Sequence, residues 1–448
     1  MKLREERFRW LVASLSCAAV VLSAPVVAQS LSDTVESVSG SASAYGEAVH
    51  TRMDTADGRR NNTKPGAGVS GQVGGALRSG ANHLSLNYGG SLSTSRDLPS
   101  GDQTDSSSVN GASRYDYATP VNPLDFNLGH TVQSVRNNTG FLLNAGDYET
   151  RNTLTGGAGL TFHPGEVSSL RFAAQAGKSY GSGDLNNSES QTVTADFSRR
   201  LTERSSAGLT ARRSWADEDG VDTTIDNAEL NYSLNLENGF FSIGAGKSWS
   251  EADYPGQATR ESDAMTGHLN RTWIGLESST SLEYNRRLSD STTDLSLNLP
   301  PQFAFLPDTI ELRELVVSDA VLVSHNTSKL CDVCSLGATA QVERLESELS
   351  GATTYNYGAA LNLGVDITNL HQLTASYSWQ ADSGIETGRI DEQRHQLILG
   401  VSRRLAEDVR MGLQLRQSWV RRKAENTDQE QYAVRLFIAK DFNLTAIR

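Results

Sequence analysis

Two cysteines three positions apart, Cys331 and Cys334 in "KLCDVCSL", are the pair whose spacing points most directly to chemistry. A C-x-x-C pair can close a disulfide, exchange thiols in a thioredoxin-like site, or supply half of a zinc site. No βαβ pattern surrounds it, which argues against the second role. No further Cys or His group supplies the two ligands the third would need. The expectation is a disulfide across a small turn in an oxidising compartment. The eight histidines, His50, His83, His130, His163, His268, His325, His371 and His395, are dispersed. None belongs to a nucleophile pattern or an H-E-x-x-H pair, and His371 and His395 fall near strand ends, where they read as interfacial polar residues. Glycine runs such as "GVSGQVGG" lie inside strand patterns and read as strand glycines, not phosphate cradles. The acidic "ADEDGVD" lacks the D-x-D-x-D-G register of a calcium loop and reads as solvated. No catalytic, cofactor or metal set is expected, and the chain is not read as an enzyme.

The remaining candidates are charges on the polar faces of strands: Arg171, Glu229, Glu283, Glu343, Arg410, Arg416 and Arg435. On a closed sheet they would line a hydrated lumen, either as a solute pathway or as interstrand ion pairs that stiffen the wall. One further group stands apart. Residues 292–314, "TTDLSLNLPPQFAFLPDTIELRE", form the longest loop, apolar at Phe303, Phe305 and Leu306 and broken by Pro300, Pro301 and Pro307. Such a loop could fold into the lumen as a constriction or grip a partner.

These candidates depend on strands to position them. In "LHQLTASYSWQAD" every second residue from Leu373 is apolar: Leu373, Ala375, Tyr377, Trp379 and Ala381. The alternate positions are Gln372, Thr374, Ser376, Ser378 and Gln380. That is a strand with one apolar and one wet face. The pattern recurs in "TYNYGAALNLGVDI", "VRMGLQLRQSW" and "AELNYSLNL", and it defines about twenty segments of roughly 10 to 14 residues between 43 and 442. Tight connections such as "EN" at 237–238 and "TN" at 368–369 alternate with longer polar ones such as "SEADYPGQATRESD" and "ADEDGVDT". Outer-membrane barrels alternate in this way, with short periplasmic turns and long outer loops. A soluble sandwich would carry shorter strands, and the polar faces here are too polar for a dry core. The predicted fold is all-β: a transmembrane antiparallel up-and-down barrel of 18–20 strands. Aromatic residues near strand ends, among them Trp215, Trp249, Trp273, Tyr355, Trp379 and Trp419, would form interface girdles.

The first stretch reads as a signal peptide. Lys2, Arg4, Arg7 and Arg9 precede the apolar run "WLVASLSCAAVVLSA", and "PVVAQS" offers cleavage after Ala28. The domain reading is therefore a signal peptide at 1–28, a periplasmic linker at 29–42, the barrel at 43–442 and a tail at 443–448. Losing four basic and two acidic residues takes the formal charge from −13 to −15. An acidic surface argues against nucleic acid as a partner. The partners expected instead are outer-membrane lipid, the barrel-assembly machinery, and a polysaccharide or small hydrophilic solute. The last strand, "YAVRLFIAKDF", ends on the aromatic Phe442, resembling the signal that this machinery reads, with six residues following it.

The run "IELRELVVSDAVLVSHNTSKLCDVCSLGATAQVERLES", with the later "YNYGAALNLGVDITNLHQLTASYSW", resembles the PEP-CTERM-system-associated outer-membrane proteins. These are barrels linked to exopolysaccharide loci. The resemblance covers the last third of the chain, and its motifs are loose. It implies an outer-membrane barrel serving polysaccharide export or envelope assembly, and it transfers no functional residue. Two alternatives stand beside this reading: a plugged barrel acting as surface anchor or receptor through its acidic loops, and a general solute porin.

Overall fold

A computed structural model describes residues 35–56, 58–98, 100–119, 122–136, 148–181, 187–218, 220–256, 258–290, 315–347, 351–383, 390–423 and 426–443. The expected signal peptide, residues 444–448, and the loop carrying Phe303, Phe305 and Leu306 lie outside the described residues. Twenty strands follow in chain order. The first ten are β1 (Val35–Thr55), β2 (Gly58–Ser79), β3 (Asn82–Arg96), β4 (Gln103–Ala118), β5 (Leu124–Arg136), β6 (Tyr148–Gly165), β7 (Ser168–Gly181), β8 (Ser188–Arg200), β9 (Ser205–Glu218) and β10 (Val221–Leu236). The second ten are β11 (Gly239–Asp253), β12 (Arg260–Ile274), β13 (Ser278–Asp290), β14 (Leu315–Thr327), β15 (Cys334–Ser347), β16 (Thr353–Thr368), β17 (His371–Ser383), β18 (Ile390–Ala406), β19 (Val409–Arg422) and β20 (Thr427–Asn443).

Each strand pairs antiparallel with the next, and β1 pairs with both β2 and β20. The sheet is closed and has no edge, so every strand finds backbone partners on both sides, as a spanning structure in hydrocarbon requires. Closure is strengthened by side chains at the seam. Phe442 lies over Gly40 opposite it, where a Cβ would come 2.6 Å from the ring.

The surface is inverted relative to a soluble protein. Leu230 is 66 % exposed, Met265 63 % and Leu436 62 %, whereas Ser418, Ser318 and Gln431 are buried. The alternation expected of "LHQLTASYSWQAD" is realised: Leu373, Ala375 and Tyr377 pair with Val401, Leu399 and Leu397 on the outer face. Trp215, Trp249, Trp379 and Trp419 all sit near the strand ends furthest from the described termini, and Trp273, Phe162 and Phe442 sit at the near end. On β20, Tyr432 and Phe442 bracket the apolar face. Ten residues at about 3.3 Å each, tilted by about 40°, rise about 25 Å, the height of a hydrocarbon band. Near the far end, outward ion pairs bridge successive strands: Lys178–Glu189 (2.5 Å), Arg213–Asp226 (3.5 Å), Lys247–Asp263 (2.6 Å) and Arg286–Asp319 (2.9 Å). Arg213 and Lys247 also lie over the rings of Trp215 and Trp249. Long cationic stems lie along an apolar surface in this way while their heads reach the polar boundary.

Three expectations need correction. The linker placed at 29–42 is in part barrel, because β1 begins at Val35 and its residues 39–54 pair with β20. Serine, glycine and alanine give "SVSGSASA" too little hydropathy contrast for its alternation to show. At the other terminus, Asn443 belongs to β20, not to the tail. The acidic stretch "ADEDGVDT" is also no long loop: β9 and β10 run to Glu218 and Val221 and leave a two-residue connection. The turn closes at Gly220, which has φ +77°, a conformation that favours glycine.

Candidate functional site: the polar lumen

The register places all seven predicted lumen charges on the inner face. Arg171 donates to Asp125 through both terminal nitrogens, at 2.8 Å each. The two are not on neighbouring strands: Arg171 is on β7 and Asp125 on β5. The pair reaches across β6 over Gly159, where a Cβ would lie 2.5 Å from Arg171 Nη2. The same device recurs on the next quarter of the wall. Glu229 on β10 meets His268 Nδ1 on β12 at 2.9 Å, crossing β11 at Gly244, where a Cβ would lie 2.5 Å from the imidazole.

Arg435 binds Glu47 across the closing seam at 2.7 Å and lies 4.2 Å from the centre of the Tyr45 ring. Glu343 is buried and accepts a hydrogen bond from Ser318 Oγ at 2.8 Å. Arg410 reaches Asp441 at 3.5 Å. Glu283 and Arg416 face the lumen opposite Leu322 and Ala433. Arg171, Glu229, Glu343, Arg410 and Arg435 are held in ion pairs or hydrogen bonds, which for these charges favours the wall over the pathway.

The partners were missed by sequence reasoning. Asp125, His268 and Glu47 lie 46, 39 and 388 positions from the residues they bind. Only their place on an inner face was available as a signal. A further cluster was missed altogether. At the far mouth, Glu392 binds Arg394 at 2.5 Å and Arg422 at 3.1 Å, beside Asp382 on the same inner face.

Between these charges the lumen is lined by small hydroxyl and amide residues. β1 to β4 show this most clearly, because the register aligns their inner residues in rows. Ser43, Ser70, Ser91 and Ser108 form one row across four strands. Hydroxyls within it pair at 2.7 Å, Ser43 with Ser70 and Ser91 with Ser108. The next row towards the near end is Ser41, Gln72, Gly89 and Asn110. The row on the other side of the serines begins with Tyr45, whose ring covers Gly68, and ends with Ser93 and Ser106, 2.5 Å apart.

Cys331 and Cys334 are joined, with their Cα atoms 5.1 Å apart. The bond staples the β14–β15 connection at the near end, and Cys334 N also donates to Cys331 O at 3.0 Å. His371 opens β17, where its Nδ1 lies 2.9 Å from Thr368 Oγ1, and His395 on β18 stacks on Trp419 at 4.7 Å. Among the described residues no group of three or more His, Cys, Asp or Glu gathers to hold a metal.

No family model matches the chain, and no curated protein matches it. Solved structures do. OccAB1 of Acinetobacter baumannii aligns at TM-score 0.36 and 10% identity, over 90% of this chain and 97% of that one. The F3-3 variant of the FrpB iron transporter from Neisseria meningitidis aligns at TM-score 0.48 and 10% identity, over 92% and 83%. The ferric enterobactin receptor PfeA of Pseudomonas aeruginosa, as a mutant, aligns at TM-score 0.45 and 11% identity, over 89% and 80%. Likeness at this level carries no argument about what the chain moves or binds.

Proposed function

We propose that the chain is an outer-membrane barrel that gives a hydrophilic solute a passage through its lumen, with the near end periplasmic and the far end at the cell surface. One observation carries the reading. An apolar band about 25 Å tall surrounds an inner face of serine, threonine, asparagine and glutamine whose scattered charges are mostly paired. At twenty strands the interior is too wide for the wall side chains to fill as they do in small barrels. A continuous polar lining keeps water inside. The finer reading is passage of an exopolysaccharide during export or envelope assembly. The resemblance of the last third of the chain to polysaccharide-locus barrels supports it, and so does the hydroxyl-rich wall.

The test is conductance of the refolded full-length chain in a planar bilayer, with folding checked by heat-modifiable gel mobility. Stable open steps are the expected result. A folded barrel that never conducts, with or without residues 292–314, would overturn the passage reading in favour of a surface anchor or receptor.

A further inference from the structure

We propose that a recess in the β1–β4 wall of the lumen is a binding subsite for an uncharged, polyhydroxylated solute, a neutral saccharide unit being the chemical class it fits. The inference rests on the passage reading and names what the passage selects.

The recess has a volume of about 400 Å³ and is lined by Ser41, Ser70, Gln72, Asn87, Ser108 and Asn110, over a floor of glycine backbone. That volume lies in the range of small-ligand sites. The register explains why a hollow forms there. Gly89 stands between Gln72 and Asn110 in one row, and Gly74 stands beside Asn87 in the next. Two missing side chains in adjacent rows open the wall, and the amides remain at its rim. The serine row closes the recess on the far side. No charged side chain lines it. The charges around it are themselves paired: Glu47 with Arg435, Glu36 with Arg78, and Arg114, one row from Asn87, with Asp116.

The chemistry follows from what each group can donate. A hydroxyl has one proton to give and two lone pairs to receive with, and it rotates to suit its neighbour. A Ser–Ser pair uses one proton and leaves the other free, so each pair still offers both a donor and acceptors. Gln72 and Asn87 make no side-chain hydrogen bond among the described residues, and each presents an amide oxygen and an NH₂ to the lumen. Neighbouring hydroxyls on a sugar ring ask for that mixture of donors and acceptors. A carboxylate or phosphate would lose water there and find no cation to replace it. A cation would find no carboxylate.

The experiment is current block by sugars across the refolded full-length barrel. The probes are a linear neutral glucan hexasaccharide and an oligogalacturonate of similar length. The neutral probe is expected to block at lower concentration than the acidic one. Replacing both rim amides, Gln72→Leu with Asn87→Leu, is expected to raise the blocking concentration about tenfold while the sugar-free conductance changes less than twofold. Gln175→Leu, on the inner face of β7 about a quarter of the way round the barrel, should leave the block unchanged. Equal block by the double variant, or no block of an open channel, would overturn the subsite. Stronger block by the acidic probe would overturn the neutral class. Absence of conductance would overturn the passage reading instead, and the subsite would then stand or fall on equilibrium binding of radiolabelled hexasaccharide to folded wild type and double variant. If the double variant fails to fold, the single variant Ser91→Asp puts a charge into the serine row and is expected to remove the neutral block.

Discussion

Arg171 and Asp125 are joined across a strand that belongs to neither of them. The guanidinium leaves β7, passes over Gly159 of β6, and meets both carboxylate oxygens of Asp125 on β5 at 2.8 Å. Only a glycine permits this, because a methyl group at 159 would lie 2.7 Å from the Asp125 oxygens. Gly159→Ala should therefore act like loss of the ion pair, lowering stability by about 1 kcal/mol for a partly solvated pair. Thermal unfolding of the variant in detergent checks this. If Gly159→Ala with Asp125→Asn is no less stable than either change alone, the two act on one interaction. Additive losses would separate the glycine from the pair.

The inner and outer faces should respond oppositely to charge. Leu436→Arg places a guanidinium in the middle of the outward apolar face of β20 and is expected to cost about 2–4 kcal/mol. Ser376→Arg, on the inner face of β17, should cost less than about 1 kcal/mol. Denaturant titration of folding into lipid vesicles measures both. Equal costs would mean that the assignment of faces is wrong.

Tryptophan depth gives an independent reading of the girdles. Single-tryptophan variants retaining Trp215, Trp249, Trp379 or Trp419 should be quenched from the outer-leaflet side of oriented vesicles. A variant retaining Trp273 should be quenched from the other side. Brominated lipids placed in one leaflet make the measurement. Trp273 reporting from the same leaflet as Trp419 would overturn the strand directions.

The Cys331–Cys334 bond closes a very short loop, so chain entropy assigns it a small effect, about 2 kcal/mol or less. Cys331→Ser with Cys334→Ser is expected to fold, keep its heat-modifiable mobility, and lose only a few degrees of melting temperature. Loss of the barrel in this variant would assign the bond a part in assembly that loop closure does not explain.

Replacing Glu47 by Gln frees Arg435 at the seam. The lumen gains an uncompensated positive charge, and the reversal potential in a salt gradient should move toward anion preference. An unchanged potential would place the ion path on the opposite wall.

Much of this molecule is written locally. A strand in lipid must alternate, because successive side chains point to opposite faces. The period of "LHQLTASYSWQAD", repeated some twenty times, was enough to predict a closed barrel, its apolar exterior, and the inward face of each of the seven candidate charges. Legibility failed where side chains are small: β1 was read eight residues short because "SVSGSASA" barely alternates in hydropathy. Partnership was not legible at all. Which charge meets which depends on register between strands, and a shift of one residue exchanges the faces of a whole strand. Asp125 under Arg171, His268 under Glu229, and the serine row of Ser43, Ser70, Ser91 and Ser108 come from alignments that no local pattern encodes. The sequence by itself determined what each face is made of. Only the closed sheet decided which residues stand side by side, because closure sets the register of every strand at once.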